Sequence, residues 1–308
     1  MTGVTIEDCT VENAGEGGFN LPNSFNITIT NLDLEGELYG VRTGSNGAIQ
    51  KLDGKMTISD SKLAAQYPIW LRANNSPGEV EITETELDVV GDDGIQVKND
   101  VGATVTIDEA ILVSNSDELL AALDNDEIKT ILLADGKYGK LLIRNIGRPV
   151  SIVALNQHEA KFESIEIKSS NIVIDGVETG YIDFYGVSDI TITNNLVTDN
   201  RFTVAIGGAG GSNNGPATIT NNIVKNGAIG LMPTEDFKNY TISNNTIEKA
   251  PAEGIWLWYQ GSHAGIVDAE KANSIADMLL VYNQFSNYFD GKNKVKVQFG
   301  VNSDKIFR

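Results

Sequence analysis

The chain has 308 residues, of which 41% are hydrophobic, so it can bury a long core and lacks the composition of a disordered protein. Its formal net charge of −19 at pH 7 argues against nucleic acid as a partner, because phosphate binding requires a basic surface. A single cysteine, Cys9, excludes an internal disulfide, and no apolar run is as long as a membrane span.

A short pattern recurs along the chain: an aliphatic residue, four variable positions and a second aliphatic residue. The first run of copies comprises Ile6/Val11, Ile29/Leu34, Ile58/Leu63, Ile82/Leu87 and Ile107/Leu112. The second run comprises Ile192/Val197, Ile219/Val224, Ile242/Ile247 and, more loosely, Leu280/Phe285. Apolar and β-branched polar residues alternate within each copy, which is typical of strands with one buried face.

A second strand pattern follows most copies: Phe19–Leu21, Ile69–Leu71, Ile95–Val97, Val204–Ile206, Ile229–Leu231 and Ile255–Leu257. Successive copies of the first run lie 23 to 29 residues apart. Two or three short strands in each repeat of this length are typical of a solenoid of stacked coils. The sequence therefore predicts an all-β, right-handed parallel β-helix.

Two internal columns follow from this spacing. Ile29, Ile58, Ile82 and Ile107 should stack inside the first run. In the second run the residue three positions after the first aliphatic is always asparagine: Asn195, Asn222, Asn245 and Asn283. We expect at least the first three of these to form a buried ladder, because asparagine can both donate and accept hydrogen bonds between coils.

The pattern is interrupted at residues 116–124, which predict a short amphipathic helix. Ser116 suits the N-cap position, and two acids follow it in the first turn, where they favour the helix dipole. Leu119, Leu120 and Leu123 form an apolar stripe. This stripe is typical of a helix that covers one end of a β-helix.

The sequence after this helix reads Ile-Leu-Leu-Ala-Asp-Gly-Lys-Tyr at 131–138 and Arg-Pro-Val-Ser-Ile-Val-Ala-Leu-Asn at 148–156. Residues 113–178 thereby resemble the start of pectin-lyase-like β-helix proteins, most closely the chondroitinase B and alginate lyase family. The resemblance implies that residues 1–112 are the end of a first module. Residues 113–308 would then be the capping helix, a second module and a C-terminal tail. Because the strand at Val4 has no cap, we expect further coils in a longer parent protein.

Cations and an aromatic residue follow the second strands of the first module. Arg42, Arg72 and Lys98 share one offset from the aliphatic residues, so they should stack in one exposed column. An aromatic face with adjacent cations suits the ring and the carboxylate of a sugar acid. The predicted substrate-binding residues here are Trp70, Gln96 and Asn74. Alternatively, the cations pair with acids of adjacent strands in a solvated ladder.

This column has a possible reaction. In uronate lyases a cation or Ca²⁺ neutralises the carboxylate, a base removes the C5 proton and β-elimination cleaves the chain. Arg42 or Arg72 would neutralise the carboxylate and Lys98 would be the base. Lyases that resemble residues 113–178 carry these groups on later coils, where this chain has no cation at 204–207, 229–232 or 255–258. The family's catalytic pair therefore cannot be carried over to the second module.

Two other chemistries remain open beside Lys98. The stretch Gly91–Lys98 is similar to a catalytic segment of polygalacturonases, which implies that Asp92 and Asp93 activate water and protonate the leaving group. The upstream Asn-x-Asp and the following Gly-His-Gly of that family are absent. Asp88, Asp92 and Asp93 could instead bind Ca²⁺, which prefers oxygen ligands. No histidine-based metal site is expected, because His158 and His263 are far apart in the repeat.

In the second module Trp256, Trp258 and Tyr259 form either a sugar-stacking platform or a packing site for the tail at 275–308. The preferred hypothesis is an extracellular or cell-surface lyase acting on an acidic, uronate-containing polysaccharide, although this chain shows no signal peptide. One alternative is a non-catalytic segment of an adhesin or spike. Another is a polygalacturonase-like hydrolase.

Overall fold

The structure is a computed structural model that describes residues 3–44, 46–47, 51–72, 75–91, 94–198, 204–208, 214–250, 252–286, 293–300 and 304–308. The chain divides into two compact units. The first unit contains Met1–Ser114 and Thr130–Asp135, and the second contains Asn115–Lys129 and Gly136–Arg308.

The first unit consists of short strands. They are β1 (Val4–Ala14), β2 (Gly17–Leu21), β3 (Ile27–Gly36), β4 (Tyr39–Thr43), β5 (Lys55–Ser59), β6 (Lys62–Ala65), β7 (Tyr67–Leu71), β8 (Glu79–Thr83), β9 (Glu86–Val89), β10 (Val97–Asn99), β11 (Thr104–Ile107), β12 (Ala110–Val113) and β13 (Thr130–Leu133). Strands β1, β3, β5, β8 and β11 pair in that order in one parallel sheet, and β2, β4, β7 and β10 pair in another. Equivalent strands of successive coils therefore lie side by side.

The predicted isoleucine column is confirmed. Ile29 pairs with Ile58, Ile58 with Ile82, and Ile82 with Ile107. All four side chains are buried. Stacked aliphatic side chains of this kind form the core of each coil, because strand alternation turns them all inward.

The last copy of the first run differs from the prediction. Ile107 and Leu112 do not belong to successive parallel strands, since β11 and β12 form an antiparallel hairpin in which Val105 pairs with Leu112. The two turn residues, Asp108 and Glu109, have φ of 46° and 70°. Two consecutive residues with positive φ favour a tight hairpin turn, and this local preference overrides the repeat.

The described part of the second unit contains two α-helices among its strands. The elements are α1 (Ser116–Asp124), β14 (Gly136–Arg144), β15 (Val150–Ala154), β16 (Ala160–Lys168), β17 (Ile172–Asp175), β18 (Glu178–Thr179), β19 (Ile182–Phe184), β20 (Ile190–Thr193), β21 (Leu196–Val197), β22 (Val204–Gly207), β23 (Ala217–Thr220), β24 (Ile223–Lys225), β25 (Ala228–Leu231), β26 (Thr241–Ser243), β27 (Thr246–Glu248), β28 (Ile255–Trp258), α2 (Ala269–Tyr282), β29 (Gln284–Ser286), β30 (Val295–Phe299) and β31 (Asp304–Phe307). Among its described strands the pairs are parallel, including β28 with β30, and only the pair of β30 with β31 is antiparallel.

The predicted asparagine ladder is confirmed and continues to Asn283. Each Nδ2 donates to Oδ1 of the next asparagine at 2.9–3.0 Å, from Asn195 through Asn222 and Asn245. The backbone N–H groups of the same residues donate to the same oxygens. The prediction for Leu280 is wrong, because this residue lies in α2 rather than in a strand.

Helix α1 is fastened at both ends. Its N-cap is Asn115, whose side chain accepts from the backbone N–H of Glu118 at 3.0 Å, and not Ser116 as predicted. The Ser116 hydroxyl instead donates to the Tyr138 carbonyl at 2.6 Å. At the C-terminal end, the Arg148 guanidinium donates to the carbonyl oxygens of Ala122 and Leu123 at 3.3 and 3.1 Å. These bonds satisfy backbone groups that a helix end leaves unpaired.

Candidate functional site

The candidate site of the first unit lies on the outer face of β2, β4, β7 and β10. One outward column contains one residue from each strand: Asn20, Arg42, Trp70 and Lys98. The predicted column of Arg42, Arg72 and Lys98 is therefore wrong, because Trp70 occupies the place given to Arg72. The predicted alignment matched Leu71 to Val41 and Val97, whereas in the structure Ile69, two positions earlier, pairs with both. A two-residue displacement keeps side chains on the same face, so these four residues remain neighbours.

Three aromatic residues form the centre of this face. The Trp70 ring centroid lies 5.5 Å from that of Tyr67 and 6.4 Å from that of Tyr39. The indole Nε1 of Trp70 donates to Asp100 Oδ2 at 2.7 Å. Rings in tilted and edge-to-face contact stabilise one another, and the hydrogen bond fixes the direction of the indole. Trp70 is half-buried, so part of the ring faces solvent.

Three cations surround these rings. Lys98 Nζ lies 4.3 Å from the Trp70 ring centroid and 4.4 Å from that of Tyr67. The guanidinium carbon of Arg72 lies 5.0 Å from the Trp70 centroid. That of Arg42 lies 5.8 Å from the same ring. Although Arg72 is outside the column, it approaches the same indole, so the structure brings all three predicted cations together.

The three cations differ in their availability to a ligand. The Arg42 side chain is only 12% exposed, contacts Glu16 Oε1 at 3.5 Å and donates to Asn20 Oδ1 at 3.3 Å. This residue fits the alternative prediction of a structural ladder. In contrast, no acidic side chain of the described residues forms an ion pair with Arg72 or Lys98. These two residues are the cations that remain available.

Other predicted members of the site lie elsewhere. Gln96 is 1% exposed and donates from Nε2 to Asp135 Oδ2 at 3.4 Å, so its predicted outward position is wrong. The reason is that β10 begins only at Val97, and strand alternation does not apply to the residue before it. Asn74, Asp92 and Asp93 lie outside the described residues.

The calcium hypothesis stays a prediction. Of the three proposed calcium ligands the structure describes only Asp88, which forms an ion pair with Lys62 at 3.2 Å. Within the ranges that the structure describes, no group of three or more His, Cys, Asp or Glu side chains could hold a metal ion.

The aromatic residues of the second unit separate into two environments. The rings of Trp256 and Trp258 stack with centroids 5.5 Å apart and an angle of 16°. Tyr259 is 1% exposed, so its predicted place in an exposed platform is wrong. It follows the end of β28, where its backbone N–H donates to the Gln298 carbonyl. Burial raises the pKa of the Tyr259 phenol, which keeps it protonated in the core.

Tyr39, Tyr67 and Asp100 belong to the candidate site of the first unit but were not predicted from the sequence. A signal for the tyrosines was present: Tyr39-Gly-Val-Arg and Tyr67-Pro-Ile-Trp share the order aromatic, small, aliphatic, site residue. These segments pair residue for residue in β4 and β7. Aligning them would have placed Arg42 beside Trp70. Asp100 has no comparable signal, because its role depends on the direction of the Trp70 indole.

Comparison with known proteins agrees with the architecture. A family model described as "Right handed beta helix region" matches residues 140–291. No curated protein and no solved structure matches the chain. Neither helix in the described part of the chain is long and apolar enough to cross a bilayer. The narrower resemblance to the chondroitinase B and alginate lyase family stays a prediction. The family match and the stacked parallel coils together show that the chain has the right-handed parallel β-helix fold.

Proposed function

We propose that the first unit binds an acidic, uronate-containing polysaccharide on the face formed by Trp70, Arg72 and Lys98. One observation carries this proposal. Two cations adjoin a single indole and have no acidic partner among the described residues, in a chain with 42 acidic and 23 basic residues. Where acids are so abundant, cations without acidic partners indicate a surface kept open for an external anion.

The chemistry of the face favours a sugar acid. The C–H surface of a pyranose ring packs on an exposed aromatic ring, and Tyr39, Tyr67 and the Asp100 hydrogen bond hold the Trp70 ring in place. The Arg72 guanidinium can bind a carboxylate through two hydrogen bonds. Lys98 supplies a compact charge on the adjacent coil, about 4.8 Å away. We propose an extracellular or surface location for this activity.

Replacing Arg72 and Lys98 together with alanine should weaken binding to polygalacturonate or alginate at least about tenfold, because hydrogen bonds to charged groups contribute about 1.5–3 kcal/mol each. The free energy of unfolding should change by less than about 1 kcal/mol, as is usual for surface residues. Retention on the immobilised polymer and chemical denaturation would measure the two quantities.

The matched control removes two lysines of the same unit that do have acidic partners. Lys55 pairs with Glu81, and Lys62 pairs with Glu86 and Asp88. The Lys55→Ala/Lys62→Ala variant should bind the polymer as the native chain does. Equal losses of retention in both double variants would show that binding depends only on the net charge of the protein. Unchanged retention with a large loss of stability would identify Arg72 and Lys98 as structural.

A second candidate function is cleavage of the bound uronate by β-elimination. It is favoured by one observation: Lys98 and Arg72 both approach the Trp70 ring, so a sugar on that ring lies within reach of both. Arg72 would neutralise the carboxylate, and Lys98 would be the base that removes the C5 proton. The C–H electron pair becomes the C4–C5 double bond, and the leaving oxygen departs with a proton from solvent.

Incubation with uronate polymers, with and without Ca²⁺, tests the cleavage directly. We expect an increase in ultraviolet absorbance from the unsaturated product. The increase should disappear in Lys98→Gln, which retains Arg72 and the aromatic cluster. Binding without any absorbance change would assign the chain to the non-catalytic glycan-binding proteins.

A further inference from the structure

A second face with related chemistry lies in the second unit, on three adjacent strands. Strands β28, β30 and β31 pair side by side. The residues paired across these strands form two rows: Trp256, Lys296 and Phe307 in one, and Trp258, Gln298 and Lys305 in the other, of which Gln298 is only 7% exposed. We call these six residues the Trp256 face. Residues paired directly across strands project from the same side of a sheet.

The Trp256 face combines aromatic surface with positive charge. Lys296 Nζ lies 4.5 Å from the Trp256 ring centroid, and Trp258 stacks on that ring from within the same strand. Phe307 is 39% exposed. No acid occupies any of the six positions, and no described acidic side chain forms an ion pair with Lys296 or Lys305. In a chain of net charge −19, the face is a local exception.

The same cross-coil pair occurs in both units. In the first unit Lys98 pairs in register with Trp70, with Nζ 4.3 Å from the ring centroid. In the second unit Lys296 pairs in register with Trp256 at 4.5 Å. A lysine above a tryptophan presents an ammonium group beside an aromatic face, and cation–π attraction holds it there. Two units of different local sequence thus present the same combination of groups.

We propose that the Trp256 face is a second binding surface for an acidic polysaccharide, independent of the site in the first unit. The adjoining Trp256 and Trp258 rings would pack against the C–H faces of the sugars. Lys296 and Lys305 would bind their carboxylates. The exposed Phe307 would extend the apolar surface along the first row.

An acidic polysaccharide fits this face better than a nucleic acid. Aromatic rings with cations also bind single-stranded nucleic acid, but those sites normally follow the backbone with a continuous positive groove. The Trp256 face offers two lysines within a strongly acidic chain. Two lysines on adjacent strands suit a uronate polymer, which carries a single carboxylate on each sugar.

The tryptophan content of the chain makes the proposal testable site by site. The chain has three tryptophans, Trp70, Trp256 and Trp258. In a full-length variant carrying Trp70→Phe, Arg72→Ala and Lys98→Ala, the site of the first unit is removed, and tryptophan emission reports only the Trp256 face. Titration with oligogalacturonate should then change the emission in a saturable manner, whereas a neutral maltooligosaccharide should not. This result does not depend on whether the first unit binds the polysaccharide, because the variant lacks the first-unit site.

In the same background, Lys296→Gln/Lys305→Gln should weaken the titration at least about tenfold. The matched control is Lys161→Gln/Lys168→Gln, whose lysines pair with Glu178 and Glu166 in the same unit. This control should bind the oligogalacturonate as tightly as the parent triple variant does. Both lysine variants should also have the same thermal midpoint as that parent. No saturable change, an equal response to the neutral sugar, an equal loss in the control, or tighter binding of an oligothymidylate would overturn the proposal.

Discussion

Replacing Asn222 with leucine is expected to lower the free energy of unfolding by about 3 kcal/mol, because two buried backbone groups lose a partner at about 1–3 kcal/mol each. The Asn222 side chain accepts from the backbone N–H of Asn195 at 3.0 Å and donates to the Ile192 carbonyl at 2.9 Å. It also donates to Asn245 Oδ1 at 2.9 Å. Leucine has a similar volume but can replace none of these bonds.

Denaturant unfolding of the native chain and the variant measures this loss. Asn239→Leu is the matched control, because Asn239 is exposed and its side chain donates only to Glu235. The control should change stability by less than about 0.5 kcal/mol. Asn222→Leu/Asn245→Leu should lose less than the sum of the single variants, since both remove the same bond. A change below about 0.5 kcal/mol in Asn222→Leu would contradict the ladder.

The coils and the ladder could be predicted because their signals are local and repeat at a fixed offset. The first three copies of the second run each contain two consecutive asparagines, as at Asn194-Asn195 and Asn221-Asn222. The first of each pair has a positive φ, 56° at Asn194 and 59° at Asn221, and turns the chain. The second enters the core. Because asparagine tolerates positive φ and also satisfies its own hydrogen bonds, one residue type accounts for both the bend and the ladder.

The register of the outer strands could not be fixed in the same way. The segments between the strands differ in length from coil to coil, so the aliphatic residues alone allow alignments that differ by two positions. Both alignments turn the same side chains outward. Sequence could therefore identify the face that carries Arg42, Trp70 and Lys98. The aliphatic residues alone could not place Trp70 in the column or exclude Arg72 from it, whereas aligning Tyr39 with Tyr67 does both.

The burial of individual site residues depends on distant parts of the chain. Arg42 is covered because Tyr39 lies under its guanidinium, 4.0 Å away, and because Glu16 and Asn20 belong to the preceding coil. Tyr259 is buried although it follows two half-exposed tryptophans. Neither outcome has a periodic signal. A regular sequence period predicts whether a strand residue points inward or outward, but it does not predict which other residues cover it.

The fold itself leaves the chemistry undecided, because a β-helix is a scaffold on which different sites are built. Both surfaces proposed here rest on the same local arrangement, a lysine in register above a tryptophan with no described acidic partner. This arrangement distinguishes Lys98 and Lys296 from the lysines that form ion pairs. Lys55, Lys62, Lys161 and Lys168, for example, all have a carboxylate within 4.0 Å.

We further propose that α1 is the cap with which the second module begins, and Leu119→Asp tests this role. Leu119 is 1% exposed, and the helix packs against β14, so the substitution buries a carboxylate without a partner. The free energy of unfolding should fall by about 3 kcal/mol or more at neutral pH, the cost expected of an uncompensated buried charge. Detachment of the helix would expose apolar strand ends, so the variant should also associate in solution.

The adjacent residue supplies the control for this substitution. Leu120 is 49% exposed on the same helix. Leu120→Asp should change the free energy of unfolding by less than about 1 kcal/mol, and it should have the same association state as the native chain. Chemical denaturation and sedimentation velocity would compare the three proteins. Equal stability of Leu119→Asp and Leu120→Asp would show that α1 contributes no cap. A loss confined to Leu119→Asp, with self-association, is the outcome expected of a helix that closes the end of a β-helix, since the strand edges beneath it would otherwise be open to pairing with another chain.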